Sequence, residues 1–229
     1  ESVVEQVKQQ TTDTTKENLE MKDPKSAEDA KQEQGGKSAE ELEKEQLEQQ
    51  LQQKLEQEAE EQVQELQEAL ELEIEAGQVS VEREGSKVII RIQEKGSFSS
   101  GSASLAPEFY EVMDKITAVL QDRSGKIIVA GHTDNIPIRT GRFRSNWELS
   151  SARAVTVLHA MLRNPDILEE RVLVEGHADT KPLVDNDSPE NRAKNRRVEL
   201  VVIKGDAKDL ESFESLLDTQ EVQPEDVQQ

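Results

Sequence analysis

Two short segments place histidine and aspartate at the same spacing: Gly131-His132-Thr133-Asp134 and Gly176-His177-Ala178-Asp179, 45 residues apart. Two histidines and two aspartates are a donor set that zinc accepts. They are also what two strand ends offer, where an imidazole can bond the neighbouring backbone. The second reading is preferred, so neither a metal nor another cofactor is expected. Asp179, followed by Thr180-Lys181-Pro182, reads as a turn. His159, inside an apolar helix, reads as a buried or interface side chain. Two further motifs bring charge and amide groups: Leu149-Ser150-Ser151-Ala152-Arg153-Ala154 and Asn195-Arg196-Arg197-Val198-Glu199. Nothing resembles a nucleophile elbow or a Gly-rich phosphate loop, and the Ser97–Ser104 loop lacks the lysine of a phosphate cradle. No enzymatic activity is expected.

The elements that must position these residues follow from periodicity. Residues 1–38 are rich in Gln, Thr, Glu, Lys and Asp and read as a flexible acidic linker. Over 39–76 an apolar stripe runs Leu47, Leu51, Leu55, Ala59, Val63, Leu66, Leu70, Ile74, in steps of four broken by one step of three. That is an amphipathic helix, ended by Gly77. Steps of four drift off a left-handed seam, so the stripe leaves open a coiled coil or a helix docked on the next domain. Val79, Val81 and Val88-Ile89-Ile90 flank Glu84-Gly85-Ser86 and predict a hairpin. A helix is expected over 105–121, with Ser104 as cap and Pro107 in its first turn. Lys126 to Ala130 is a near-continuous apolar strand. Ser145-Asn146-Trp147-Glu148 has a capping-box pattern ahead of a helix over 146–163, with Trp147 as a packing anchor. Val172 to Glu175 is a strand, 189–196 a short helix, and 197–203 the last strand. The order β-β-α-β-α-β-(short α)-β predicts an α/β sandwich, with helices packed on one mixed sheet.

Charge divides the chain in the same places. Residues 1–76 hold 8 Lys against 23 acidic groups, and 205–229 hold one Lys against 8. The middle, 77–204, is nearly neutral and holds every arginine, Trp147 and Tyr110. A core is expected there, and 205–229 reads as a disordered acidic tail. A formal net charge of −21 argues against nucleic acid as partner. No cysteine is present, which excludes disulfides and Cys-based metal sites. No apolar run reaches the length of a membrane span. A start at Glu1 without Met favours a fragment or a processed chain.

Together, Gly131 to Asp134, Leu149 to Ala154 and Asn195 to Glu199 resemble the OmpA C-terminal family over about residues 85–203, with three separated motifs in order. The resemblance implies a non-catalytic module that binds the peptide stem of peptidoglycan, chiefly its diaminopimelate. It implies that Asp134 and Arg153 grip that zwitterion, with Asn195 and Arg196 as supporting contacts. The chemistry is consistent: an amino-acid end needs one anion for its ammonium and one cation for its carboxylate, and a guanidinium suits the latter bidentately. Backbone amides of 97–103 or the amide of Asn146 are expected to complete the site. Residues 135–149, above all Ser145-Asn146-Trp147-Glu148-Leu149-Ser150, resemble flagellar stator B subunits, the MotB and PomB group. That likeness implies a periplasmic cell-wall anchor and a homodimer. It also implies an inner-membrane helix outside this chain that joins a stator A subunit, and contact with periplasmic ring components of the flagellum. The alternative is a generic OmpA-type envelope protein that tethers a membrane to peptidoglycan.

Overall fold

The structure, a computed structural model, describes residues 39–121 and 125–204, with side chains from Gln46 onward. The expected linker over 1–38 and acidic tail over 205–229 lie outside the described residues. The chain divides into two units, Glu1–Gln57 and Glu58–Gln229, and the candidate site lies wholly in the second.

Helix α1 spans Ala39–Ala69, and a one-turn helix α2 spans Glu71–Glu75. Within the second unit, Ala59, Val63, Leu66 and Leu70 of this stripe are buried in the main hydrophobic core. Gly77 closes α2 at φ +68. Its N–H donates to the Ile74 carbonyl and that of Gln78 to Glu73, the double bond of a left-handed helix stop. Strands β1 (Val79–Glu84) and β2 (Lys87–Gln93) then form the expected hairpin around Gly85-Ser86, with Val81 opposite Ile90.

A short turn of helix, α3 (Glu94–Ser97), leads to α4 (Phe109–Leu120). The helix expected from residue 105 starts four residues later. Leu105 forms a bridge with Phe98, and the Ala106 N–H donates to Ser97 O at 2.8 Å. Ala106 also precedes Pro107, which disfavours helical backbone. Ser104 consequently caps nothing. Strand β3 (Lys126–Gly131), helix α5 (Asn146–Met161), strand β4 (Val172–Gly176), helix α6 (Pro189–Asn195) and strand β5 (Arg197–Ile203) complete the order.

The sheet runs β1-β2-β5-β3-β4. All neighbours are antiparallel except β3 and β4. It is the expected α/β sandwich on one mixed sheet. Phe109, Met113, Ile116 and Leu120 of α4 and Ala154, Val157 and Met161 of α5 share one core with Val198, Leu200, Val202, Ile127 and Val129 of the strands. Each of the larger side chains among these, fully buried, contributes roughly 1.5–3 kcal/mol. Among the described residues, no helix is long and apolar enough to cross a membrane.

Candidate ligand cleft

Topology brings three distant segments together. β5 runs antiparallel to both its neighbours, with Gln93 opposite Arg197 and Gly131 opposite Val198. The ends of β2 and β3 and the start of β5 therefore lie at one end of the sheet. Backbone bonds extend the ladders there: Glu94 N–H to Arg196 O and His132 N–H to Arg197 O, each 2.9 Å. Glu94, Asp134 and Arg196 become neighbours, and α5 brings Arg153 to the same place.

A cleft of about 400 Å³ opens at this end, lined by Glu94, Asp134, Asn146, Arg153 and Arg196, with Ser100, Gly101 and Ile136 on its walls. The four charged groups form an alternating chain. Arg153 pairs with one Glu94 oxygen, and Arg196 with the other. Arg196 Nη1 also reaches Asp134 Oδ2 at 2.8 Å. Arg153 Nε donates to Ser102 O at 2.8 Å, and its guanidinium lies 5.3 Å from the Phe98 ring centre. Although Arg153 is 1% exposed, it is held by one carboxylate and one carbonyl. Burial acts to lower the pKa of Arg196, but its bonds to Asp134 and Glu94 outweigh this and raise it. Two cations and two anions leave the cleft with no formal net charge. Such a cleft can take up a group that carries both signs.

The loop after β3 is built to hold Asp134. Its Oδ1 accepts the Ile136 N–H at 3.0 Å, a local turn typical of Asp. Asn146 fixes the same loop: its Nδ2 donates to Asp134 O and Ile136 O, and its Oδ1 accepts from Ile138 N–H at 3.1 Å. Below it Ala103, Phe143 and Leu149 form a small apolar cluster.

Of the residues expected from sequence, Asp134, Arg153, Arg196 and Asn146 share the cleft. Asn195 does not line it. It is fully buried, accepts from Leu183 and Val184 N–H, and donates to Val184 O and Asn186 Oδ1. It clamps the 183–186 loop with all its polar capacity. Glu94, which joins the two arginines, was not expected. Its only sequence signal is an acidic residue at the end of a strand.

Several local expectations need correction. Ser145 makes no side-chain cap, although its backbone is extended. Glu148 instead accepts from the Arg144 N–H at 2.7 Å and pairs with the Arg144 side chain. Trp147 is 53% exposed and anchors no core, because α5 buries the face of Asn146, Leu149, Ser150, Arg153, Ala154 and Val157. His159 is exposed as well, which removes the buried reading of that side chain. Neither strand-end imidazole bonds backbone. His177 Nε2 meets Glu175 Oε2 at 2.6 Å, while both His132 ring nitrogens are buried without a hydrogen-bond partner, the Glu199 carboxylate standing 3.9 Å from Nε2. Burial, helped by the Arg197 cation, pushes the His132 pKa down to about 3. The rings stand 5.1 Å apart, and no group of metal-ligating residues occurs among the described residues.

The sequence profile of the OmpA family matches residues 97–196. Motility protein B of Bacillus subtilis is 33% identical over 127 residues, 55% of this chain and 49% of that protein. Peptidoglycan-binding protein ArfA of Mycobacterium tuberculosis is 33% identical over 107 residues, 46% of this chain and 31% of that protein. This chain thus spans about half or less of the length of these relatives. The cell wall anchor of the T6SS from Pseudomonas aeruginosa has the same fold, with a TM-score of 0.57 and 38% identity over 61% of this chain and 97% of that one. Its motifs, its fold and these likenesses agree: the chain contains an OmpA family domain, matched over residues 97–196.

Proposed function

We propose that this chain is a non-catalytic peptidoglycan-binding anchor, the periplasmic part of a flagellar stator B subunit. The observation that carries the reading is the meeting of Glu94, Asp134, Arg153 and Arg196 in one open cleft of balanced charge. A diaminopimelate end offers an ammonium to the Asp134 side and a carboxylate to the arginines, which suits charge-assisted and bidentate bonds. Relatives named for motility and for peptidoglycan binding support the reading. The partners it implies are the stem peptide, a second copy of this chain, a stator A subunit reached through a membrane helix, and periplasmic flagellar ring components.

Co-sedimentation with purified sacculi tests the proposal. Asp134→Ala and Arg153→Ala are each expected to weaken binding by about 2–5 kcal/mol, as when one partner of a desolvated pair is removed. Asp134→Asn checks the result without loss of volume. Variants that sediment like the wild type would overturn it. The 38% identity to a T6SS wall anchor favours a second reading, in which the same cleft tethers a different envelope assembly. The gene upstream of Glu1 separates them. An apolar helix bearing one aspartate supports the stator, while a lipobox or an eight-stranded barrel supports the tether.

A further inference from the structure

We propose that Glu94 is the specificity-determining residue of the cleft, the group that makes an amine on the ligand a requirement for binding. The inference rests on the peptidoglycan-binding reading above and goes beyond the Asp134 and Arg153 motifs. Glu94 belongs to neither motif. It stands 59 residues from Arg153 and 102 from Arg196 in sequence, yet its two oxygens are shared between them. It is 8% exposed and still forms part of the cleft wall.

Without Glu94, the cleft would hold Arg153 and Arg196 against Asp134 alone and carry a net positive charge. Such a site would attract any carboxylate, including simple dicarboxylates and acidic side chains. With Glu94 the charges balance. A bare carboxylate approaching the arginines then meets two carboxylates already bonded to them and gains little. A ligand with a neighbouring ammonium supplies the cation that both carboxylates can share. Discrimination thus comes from a repulsive element as well as an attractive one, a common source of specificity. Glu94 is well placed for this role because it is fixed at both ends. Its N–H donates to Arg196 O, and its carbonyl accepts from Phe98 N–H at 2.9 Å. Gly96, two residues on, adopts φ +93. L side chains rarely adopt that backbone conformation, so the turn that aims Glu94 depends on glycine.

The test compares two probes on the full chain by titration calorimetry: meso-diaminopimelate, and pimelate, which has the same carbon chain without amines. The wild type is expected to prefer diaminopimelate. Glu94→Gln keeps the shape and one acceptor but removes the negative charge. It is expected to reduce the ratio of the two affinities by about tenfold or more, mostly by strengthening pimelate. Glu94→Asp is expected to restore part of the preference. A purely structural Glu94 would lower stability and weaken both probes alike, leaving the ratio unchanged, and that result would overturn the proposal. If the wild type binds neither diaminopimelate nor sacculi, the peptidoglycan reading itself fails. Wild-type binding with an unchanged ratio removes only the role of Glu94.

Discussion

The same four-residue pattern ends two adjacent strands, and the two ends have different fates. β3 and β4 are parallel and in register, with Gly131 beside Gly176. Both glycines let α5 lie close: a Cβ on Gly131 would sit 2.0 Å from Ser150 O, and one on Gly176 2.0 Å from Ser151 Oγ. Beyond the glycines the likeness stops. Asp134 is 6% exposed and paired to Arg196, whereas Asp179 is exposed in a turn. His132 is sealed without a hydrogen bond, whereas His177 bonds Glu175. The cause is position in the sheet. β3 lies between β4 and β5, and β5 brings Arg196 and, through β2, Glu94. β4 is an edge strand, with no further strand to bring Asp179 a cation. A Gly-His-x-Asp pattern supplies a strand end and a close helix, and its neighbours decide whether a cleft forms.

This contrast can be broken most severely at Arg153. Arg153→Ala leaves Glu94 with one arginine and Ser102 O without its donor. It is expected to lower unfolding free energy by about 3–5 kcal/mol in urea titrations. A loss under about 1 kcal/mol would mean that the pair contributes little to holding the cleft end together. Next come the glycines. Gly131→Ala drives a methyl into backbone and is expected to cost about 1–3 kcal/mol. Gly176→Ala meets first a side-chain hydroxyl that can rotate, so its cost should be smaller; equal costs would mean that Ser151 cannot give way.

The two histidines sharpen the contrast through pH. His132 titrates near 6.5 when unfolded and near 3 when folded. Its contribution to stability is complete above pH 6.5 and is lost as pH falls toward 3. His132→Asn should therefore flatten the stability curve between pH 6.5 and 4.5 by up to about 1.4 kcal/mol per pH unit, the slope of one proton. Above 4.5 the neighbouring Glu199 is still ionised, because Arg197 holds its pKa below the usual range against the opposing effect of burial. An unchanged slope in that window would show that His132 gains a proton in the folded state. The smallest effect is expected at Asp179. Asp179→Asn should leave stability within about 0.5 kcal/mol and sacculus binding unchanged, as is usual for an exposed turn residue. A marked loss of binding there would place the ligand at the second strand end.

Most of the fold was legible because its strands and helices carry strong local periodicity, as in Lys126-Ile127-Ile128-Val129-Ala130 and the α4 face. Helix starts were less so. Leu105 and Ala106 look helical in sequence, but a bridge to Phe98 and the following Pro107 keep them extended. Asp134 and Arg153 could be picked out because each sits in a motif. Glu94 could not, since its meaning appears only when β2 lies beside β5, and Gln93-Glu94-Lys95 alone looks like any charged strand end. Asn195 misled for the converse reason: it shares a motif with Arg196, but a side chain one residue away faces a different loop.

The most direct test of the account is an amide-shift titration of the full chain with meso-diaminopimelate. The expected result is a set of perturbed amides confined to Glu94, Ser100–Gly101, 133–138, Asn146 and Arg196, with 177–181 unmoved. Perturbations centred on His177–Lys181, or none at a ligand excess that saturates sacculus binding, would contradict it.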